Sequence, residues 1–255
     1  MPGLQGEGSK ETRGRALIVA GSEEMPGAAI LASTAALRAG AGKVRVATAE
    51  AVAVHVASAV PELFVSGLSD RGAVLASAKK TDVVLIGPGM RDNDVIRKLL
   101  GPLLKIETLR ALIIDASALP LIGRVKLHER TMVTPHAGEM SALLKLEKEA
   151  LDDDSLGYAR RFAQDSGAVV VLKGTETLIC DSRGDSYLNK RGHVGLATAG
   201  SGDVLAGIVA GFCARGAPPL QAAVWAVSLH ARAGGIGFLA REILDQIPRL
   251  TSDLS

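Results

Sequence analysis

The 255-residue sequence is poor in aromatic residues and in charge of one sign. Phe, Trp and Tyr make up 3% of the residues, and 29 Lys and Arg against 27 Asp and Glu give a net charge of +2. Nucleic-acid-binding proteins usually carry a clustered basic face with aromatic stacking platforms, whereas the basic residues here are scattered along the chain. The composition therefore argues against a nucleic-acid partner.

Cysteine and long apolar runs are also scarce. Cys180 and Cys213 lie far apart without CxxC spacing, which indicates neither a zinc site nor a disulfide framework and is typical of reduced thiols in the cytosol. The N-terminal "MPGLQGEGSKETRGR" has no apolar core of a signal peptide, and glycine or charge interrupts each apolar stretch well before the ~20 residues that span a bilayer. We expect a soluble, cytoplasmic protein without a membrane partner.

Two familiar nucleotide-binding motifs are missing. The sequence contains no GxxxxGK[ST], which excludes a P-loop, and "GAGKVRV" (40–46) does not have the GxGxxG spacing of a dinucleotide fingerprint. A phosphate site in this chain must therefore be of another kind.

What the sequence does contain is a regular alternation of strands and helices. Apolar runs that end in glycine or a polar residue predict strands at 15–21, 43–48, 62–67, 82–89, 111–117, 131–136 and 168–174. Helical stretches separate them, the first at 25–42; residues 177–190 predict a hairpin, and helices follow at 203–215 and 219–235. This order is typical of an α/β fold with a central, mostly parallel sheet and helices on both faces. With no Pro/Ser-rich linker, we expect one domain over 1–255, with flexible tails at 1–14 and 251–255.

Ligands of open parallel sheets gather at the carboxyl ends of the strands, and these ends carry glycine or polar residues. They include Gly21-Ser22, Gly87-Pro88-Gly89, Asp115, Thr134-Pro135-His136 and Lys173-Gly174-Thr175. Several such ends together predict a binding cleft.

The loop "AGSGD" (199–203) is the most informative of these segments. Gly200 and Gly202 would let backbone N–H groups face an anion, and the following helix would add its positive end, so the loop predicts a phosphate site. Asp203, beside a phosphate, makes sense as a general base that takes a proton from a hydroxyl. The spacing alone leaves a second interpretation open, in which Asp203 is only the N-cap of the helix.

Other candidate residues also have two interpretations. Gly89 either shapes a tight turn or lets a flat ligand approach the backbone. Lys173 either balances phosphate charge or is an exposed strand-end lysine, and His136 is either functional or structural. Glu139 suits the first turn of a helix. No residue is assigned as a metal ligand, because His55, His128 and His230 have no partners at metal-ligand spacing.

Taken together, five segments resemble the carbohydrate-kinase-like domain of the ADP- or ATP-dependent NAD(P)H-hydrate dehydratase family, which has a ribokinase-like, three-layer α/β/α fold. They lie at 21–48, "IGPGM" (86–90), "VTPHAGEM" (133–140), "VVLKGTET" (170–177) and "GLATAGSGDVLAGIVAG" (195–211). The combination of TPHxGE with GSGDVLAG is specific, and the resemblance spans nearly the whole chain. The separate epimerase domain of some family members has no counterpart here.

The resemblance implies repair of NADH or NADPH hydrated at C6 of the nicotinamide ring, with ATP or ADP consumed and Mg²⁺ neutralising the phosphates. It also implies a homo-oligomer of four or more subunits. By motif, Asp203 would be the general base on the C6 hydroxyl. The hydrated dinucleotide would contact Ala28, Gly89, His136 and Asp203, and the nucleotide would contact Lys173, Gly174, Thr175, Glu176, Thr177, Gly200, Ser201 and Gly202.

The sequence departs from the family pattern in three places. Ala199 stands where a glycine is usual, and His193-Val194 where Asn-Pro is usual. Within "DASALP" (115–120), Ser117 replaces an acidic residue and Pro120 an asparagine. Two alternatives stay open. The same Gly-Ser-Gly-Asp loop would serve a kinase of a sugar or vitamin alcohol, and Ser117 and Ala199 would suit a nucleotide-binding homologue without turnover.

Overall fold

The computed structural model describes residues 13–123 and 125–253. Its centre is a nine-stranded sheet in the order β3-β2-β1-β4-β5-β6-β7-β8-β9. The strands are β1 Arg15–Val19, β2 Lys43–Thr48, β3 Phe64–Gly67, β4 Val83–Ile86, β5 Ala111–Ile114, β6 Thr131–Val133, β7 Val169–Leu172, β8 Thr177–Cys180 and β9 Ser186–Asn189. Neighbours from β3 to β7 pair parallel, and β8 and β9 add an antiparallel hairpin.

Helices cover both faces of the sheet. They are α1 Pro26–Arg38, α2 Glu50–Ala59, α3 Arg71–Ala78, α4 Asn93–Leu104, α5 Ala137–Leu144, α6 Lys148–Asp153, α7 Ser155–Ser166, α8 Ser201–Ala214, α9 Pro219–Ala233 and α10 Ala240–Ser252. Short 3-10 helices lie at Ala116–Leu121 and Val194–Leu196. One apolar core lies under α1, α8, α9 and α10, and the other under α3, α4, α5 and α7. The predicted α/β fold with a mostly parallel central sheet is confirmed.

The central strands form because their sequences are short, continuous apolar runs. Every residue of β4, β5 and β7 is buried, as expected where helices cover both faces of a parallel sheet. The edge strands β3 and β9 are only partly buried. The predicted hairpin is present, with Asp181 capping its turn through hydrogen bonds from the backbone N–H groups of Arg183 and Asp185.

The small residues of α1 and α8 serve packing within the chain. The two helices lie so close that a Cβ on Gly207 would collide with the Ala32 carbonyl oxygen. Twelve residues of the central helix α8 are buried, so its many Ala and Gly residues let it cross α1 at short range.

Helix α10 was not predicted. Its buried residues Ile243, Leu244, Ile247 and Leu250 recur at helical spacing, and they complete the core beside α1, α8 and α9. The predicted tails fall mainly on residues 1–12 and 254–255, which lie outside the described residues. Some of the predicted tail residues are described. The Gly14 carbonyl accepts hydrogen bonds from the backbone N–H groups of Gly42 and Lys43, and Thr251 and Ser252 belong to α10.

Within residues 13–123 and 125–253, no helix is long and apolar enough to cross a membrane. Cys180 and Cys213 are free thiols, and both are buried. Burial raises the pKa of the Cys213 thiol to about 12, so this thiol is protonated and unreactive at neutral pH.

Candidate functional site

The chain reverses its direction of travel across the sheet between β1 and β4, and the candidate site begins there. From β1 the chain proceeds through β2 to the β3 edge, and from β4 it builds the opposite side. The backbone N–H of Gly21, after β1, donates to the Pro88 carbonyl, after β4, at 2.8 Å. A crevice at such a switch point is where ligands bind in open α/β sheets.

Ala28 and Gly89, both predicted to contact the substrate, meet at this crevice. Gly89 has a φ of +62°, and a Cβ at this position would collide with the Ala28 methyl group. The site therefore requires glycine at 89 both for its backbone conformation and for space. The tight-turn interpretation of Gly89 therefore holds, and its contact with a flat ligand stays a prediction.

Farther along the same sheet edge, three side chains from successive strand ends form a polar network. The Asp115 carboxylate follows β5 and is 1% exposed. One of its oxygens, Oδ1, accepts a 2.6 Å hydrogen bond from the Thr134 hydroxyl, which follows β6, and a 3.0 Å hydrogen bond from the Lys173 ammonium, which follows β7. Because a buried carboxylate needs such partners, Asp115 fixes the lysine in the cleft.

Lys173 is thus not the exposed strand-end lysine of the alternative interpretation, since only 20% of its side chain is exposed. Burial opposes its charge, but the negative charges of Asp115, Glu139 and Asp203 outweigh burial and raise the pKa of Lys173. Its Nζ lies 3.5 Å from the position that a Cβ on Gly202 would occupy. The structure therefore brings the lysine to the Gly-Ser-Gly-Asp loop.

The loop itself ends on Gly200, which caps α8 in the left-handed conformation with φ +86°. The helix starts at Ser201, so Asp203 lies in its first turn, and the interpretation of Asp203 as the N-cap is wrong. A glycine cap leaves the first N–H groups of α8 without a capping side chain, and such N–H groups are suited to bind an anion.

Asp203 is a partly buried carboxylate whose pKa is shifted by its surroundings. Burial raises its pKa to about 6, with a further increase from the nearby Asp115 charge that Lys173 partly offsets. A carboxylate with a pKa near 6 accepts a proton more readily than an ordinary aspartate and is still ionised at neutral pH. Its environment therefore suits a general base.

The remaining predicted nucleotide contacts follow Lys173 along the chain. Gly174, Thr175 and Glu176 form an exposed turn, and Thr177 begins β8. A Cβ on Gly192 would collide with the Thr175 carbonyl oxygen, so this turn packs against the segment that leads into the Gly-Ser-Gly-Asp loop.

His136 has a definite structural role, and its ring remains accessible. Its Nδ1 accepts a hydrogen bond from the Glu139 N–H at 3.2 Å, and the Glu139 carboxylate accepts one from the His136 N–H at 2.7 Å. This reciprocal capping box starts α5. The His136 side chain is 61% exposed, so capping does not prevent its ring from touching a ligand.

Two of the departures from the family pattern have clear local roles. The Ser117 hydroxyl donates to the Met90 carbonyl at 2.5 Å and so ties the segment after β5 to the turn after β4. His193 caps the 3-10 helix that starts at Val194 by accepting a hydrogen bond from the Gly195 N–H through Nδ1. Nothing in the structure explains Ala199, which is exposed.

Sequence reasoning assigned no role to two buried residues of this region. Asp115 was noted only as a strand end, although its position beside other strand ends was a usable signal. His230 on α9 contacts Ser201 on α8 through its Nε2. No local sequence pattern predicts this contact between two helices.

Among the described residues, no group of three or more His, Cys, Asp or Glu side chains is arranged to hold a metal ion. Mg²⁺ is commonly bound by substrate phosphates, waters and only one or two carboxylates. The Asp115 carboxylate is 1% exposed and already accepts hydrogen bonds from Thr134 and Lys173. The Asp203 carboxylate is only partly buried, and it fits the role of the single carboxylate for a Mg²⁺ ion that arrives with a phosphorylated ligand.

Comparison with known sequences agrees with this geometry. The sequence model of NAD(P)H-hydrate dehydratase matches residues 16–252. The chain belongs to the NAD(P)H-hydrate dehydratase family. One family member, the ADP-dependent (S)-NAD(P)H-hydrate dehydratase of Xanthomonas campestris pv. campestris, is 41% identical over 97% of this chain and 91% of its own length.

Solved structures give the same assignment. The ADP/ATP-dependent NAD(P)H-hydrate dehydratase of Bacillus subtilis, co-crystallised with ATP and Mg²⁺, is 30% identical with a TM-score of 0.88, over 100% of this chain and 95% of that one. A ribokinase-like superfamily protein from Enterococcus faecalis is 28% identical with a TM-score of 0.90, over 99% of this chain and 92% of that one. The expected family and its ribokinase-like fold are both confirmed.

Proposed function

We propose that this family member dehydrates NADH or NADPH hydrated at C6 of the nicotinamide ring and consumes ADP or ATP in doing so. The observation that carries the proposal is the position of Asp203. Its carboxylate, with a pKa raised to about 6, lies in the first turn of a glycine-capped helix and close to the charge of Lys173. The reaction class and substrate follow from the family.

The first step is transfer of a phosphoryl group to the C6 hydroxyl. Asp203 accepts the hydroxyl proton as the hydroxyl oxygen bonds to phosphorus, and the bond from phosphorus to the departing nucleotide breaks. A base is needed here because an alcohol is a weak nucleophile. Ala28 and Gly89 would line the pocket for the hydrated dinucleotide, with the exposed His136 ring at its margin.

The nucleotide would lie with its phosphates at the first turn of α8. The backbone N–H of Gly202 and the positive end of the helix favour phosphate charge there, whereas the Ser201 N–H already donates to the Thr198 carbonyl. The ammonium of Lys173 would contact the same phosphates, and the turn Gly174–Thr177 would follow the rest of the nucleotide. Mg²⁺ bound with the nucleotide would neutralise further phosphate charge.

The second step is elimination. Phosphate is a far better leaving group than hydroxide, so the C6–oxygen bond breaks, the neighbouring carbon gives up a proton to the departing phosphate, and the ring double bond is restored. Inorganic phosphate and the reduced nicotinamide are the products. Asp203, protonated in the first step, must lose its proton before the next turnover, which its pKa near 6 permits at neutral pH.

The test supplies purified protein with hydrated NADH, Mg²⁺ and either ADP or ATP. We expect the absorbance of reduced nicotinamide at about 340 nm to return and one phosphate to be released per molecule repaired. A stable phosphorylated product from another alcohol, with no repair of hydrated NADH, would favour the kinase alternative. Nucleotide binding without any turnover would favour a homologue that has lost activity.

We also propose that residues 1–255 act as a single cytoplasmic unit within a homo-oligomer of four or more subunits. The support is the family resemblance, together with one continuous sheet that uses every described strand. Light scattering on the purified protein would give the oligomer mass, and a monomer at working concentration would contradict the assembly.

A further inference from the structure

His230 is a buried histidine that the proposed reaction does not use. It lies in the last turn of α9 and is 9% exposed. Its Nε2 is 2.9 Å from the Ser201 hydroxyl oxygen and 3.0 Å from the Ser201 carbonyl oxygen. Ser201 is the first residue of α8, so this histidine contacts the start of the helix that would bind phosphate.

The two contacts together select one tautomer of the ring. A carbonyl oxygen only accepts hydrogen bonds, so the 3.0 Å contact is favourable only when Nε2 carries the ring proton. The same N–H then also points to the Ser201 hydroxyl oxygen in a shared hydrogen bond. Because that oxygen accepts from the ring, the hydroxyl keeps its own proton to donate elsewhere.

The ring is also neutral under ordinary conditions. Burial lowers the pKa of His230 to about 4, and the nearby positive charge of Lys173 contributes to the decrease. Its contact with Ser201 places His230 beside the candidate nucleotide site, although it is on a different element from every residue predicted there.

We infer that His230 is a positioning residue for nucleotide binding: its Nε2–H anchors the Ser201 carbonyl and directs the Ser201 hydroxyl proton toward the bound phosphate. Ser201 is 3% exposed, so its side chain is held by packing as well as by this contact. The inference rests on the proposed nucleotide site at α8. It does not depend on which hydroxyl is phosphorylated.

The experiment measures the dissociation constant of ADP and of ATP, each with Mg²⁺, by titration calorimetry. His230→Phe keeps a ring of similar shape and removes both hydrogen bonds, and we expect it to weaken nucleotide binding about tenfold, the effect of roughly one lost buried hydrogen bond. His230→Gln places an amide N–H near the former Nε2 and should recover most of this loss. In turnover assays, KM for the nucleotide should rise more than kcat falls.

A matched control separates positioning from general damage to α9. Val227 is buried on the same helix, and Val227→Ala should lower the unfolding temperature while leaving nucleotide affinity within about twofold. If His230→Phe does not fold, the comparison of His230→Gln with Val227→Ala still decides the matter. A His230→Gln variant that folds but binds nucleotide tenfold more weakly than the control would overturn the inference.

A double-variant cycle with Ser201→Ala tests the role of the hydroxyl. If His230 acts through Ser201, His230→Phe should weaken binding much less in the Ser201→Ala background than in the wild type. Fully additive effects, or a His230→Phe variant that binds nucleotide as the wild type does, would contradict the inference. Calorimetry needs no turnover, so it tests this inference separately from the proposed function. If the variants show the expected losses of nucleotide affinity but the wild type has no dehydratase activity, the proposed function is overturned and this inference stands.

Discussion

The Lys173 ammonium, which follows β7, lies 3.0 Å from Oδ1 of Asp115, which follows β5, so the contact spans the end of the intervening strand β6. This ion pair is almost fully shielded on the carboxylate side, where only 2% of the Asp115 side chain is exposed. It sets the charge around Asp203, whose pKa responds to both partners. The behaviour of the candidate base therefore depends on residues that need not touch the substrate.

Replacement of Asp115 by Asn should shift the pH dependence of activity. The Asp115 charge raises the pKa of Asp203, and Lys173 lowers it. Removing only the negative charge leaves the lowering influence of Lys173, so the acid limb of kcat/KM should move from about pH 6 to lower pH. An unchanged acid limb in Asp115→Asn, measured over about pH 4–8, would show that this carboxylate does not set the protonation of the base.

Replacement of Lys173 by Met should lower both stability and nucleotide affinity. The change leaves the buried Asp115 carboxylate without its cation, a loss of roughly 3–5 kcal/mol of unfolding free energy. The double variant Asp115→Asn/Lys173→Met removes the unpaired charge and should recover much of that stability. Its nucleotide affinity should stay at least about tenfold below wild type, because the phosphates still lack the ammonium. Recovery of affinity together with stability would mean that Lys173 is only structural.

Replacement of Asp203 by Asn should stabilise the fold at neutral pH. The pKa of Asp203 is about 6 in the folded protein against an ordinary value of 3.8, so the folded state binds more protons between these values. The resulting stability is present below about pH 4 and is lost as pH rises through 6. Above pH 6 the variant should gain roughly 1 kcal/mol, after allowance for partial exposure and for the lost charge at the helix start. The gain should disappear near pH 4, and equal unfolding temperatures at every pH would contradict the raised pKa.

Replacement of Gly89 by Ala should damage the substrate side of the cleft. The positive φ and the collision with Ala28 predict a cost of roughly 1–3 kcal/mol in unfolding free energy, with a larger KM for the hydrated dinucleotide. Gly101 provides a matched control, because it lies within α4 and a Cβ there meets nothing within 4 Å. Gly101→Ala should be neutral or stabilising by up to about 1 kcal/mol. If the two variants bind substrate equally well, Gly89 does not line the pocket.

The sequence predicted the strands well because each is a short apolar run closed by glycine or a polar residue, as in β4 with Gly87 after it. It also predicted that polar residues at the strand ends come together, as Asp115, Thr134 and Lys173 do, because the carboxyl ends of parallel strands meet at one edge of the sheet. Helix α10 was missed although its apolar residues recur at helical spacing, because Pro248 within it resembles a helix breaker.

The errors at the site have a different cause. The N-cap interpretation of Asp203 was wrong because the helix start depends on the left-handed conformation of Gly200, which places Ser201 first. Asp115 and Lys173 are 58 residues apart in sequence, and Ser201 and His230 are 29 apart. Contacts over such separations arise from tertiary packing, and no local spacing predicts them.

The most direct test of the central claim compares wild type and Asp203→Asn in the recovery of absorbance at about 340 nm from hydrated NADH, with ADP or ATP at saturation. If Asp203 is the general base, the variant should lose at least about 10²-fold in kcat while nucleotide affinity stays near wild type. Wild-type kcat/KM should in turn fall below about pH 6, where Asp203 becomes protonated. Turnover by Asp203→Asn at the wild-type rate would contradict the account.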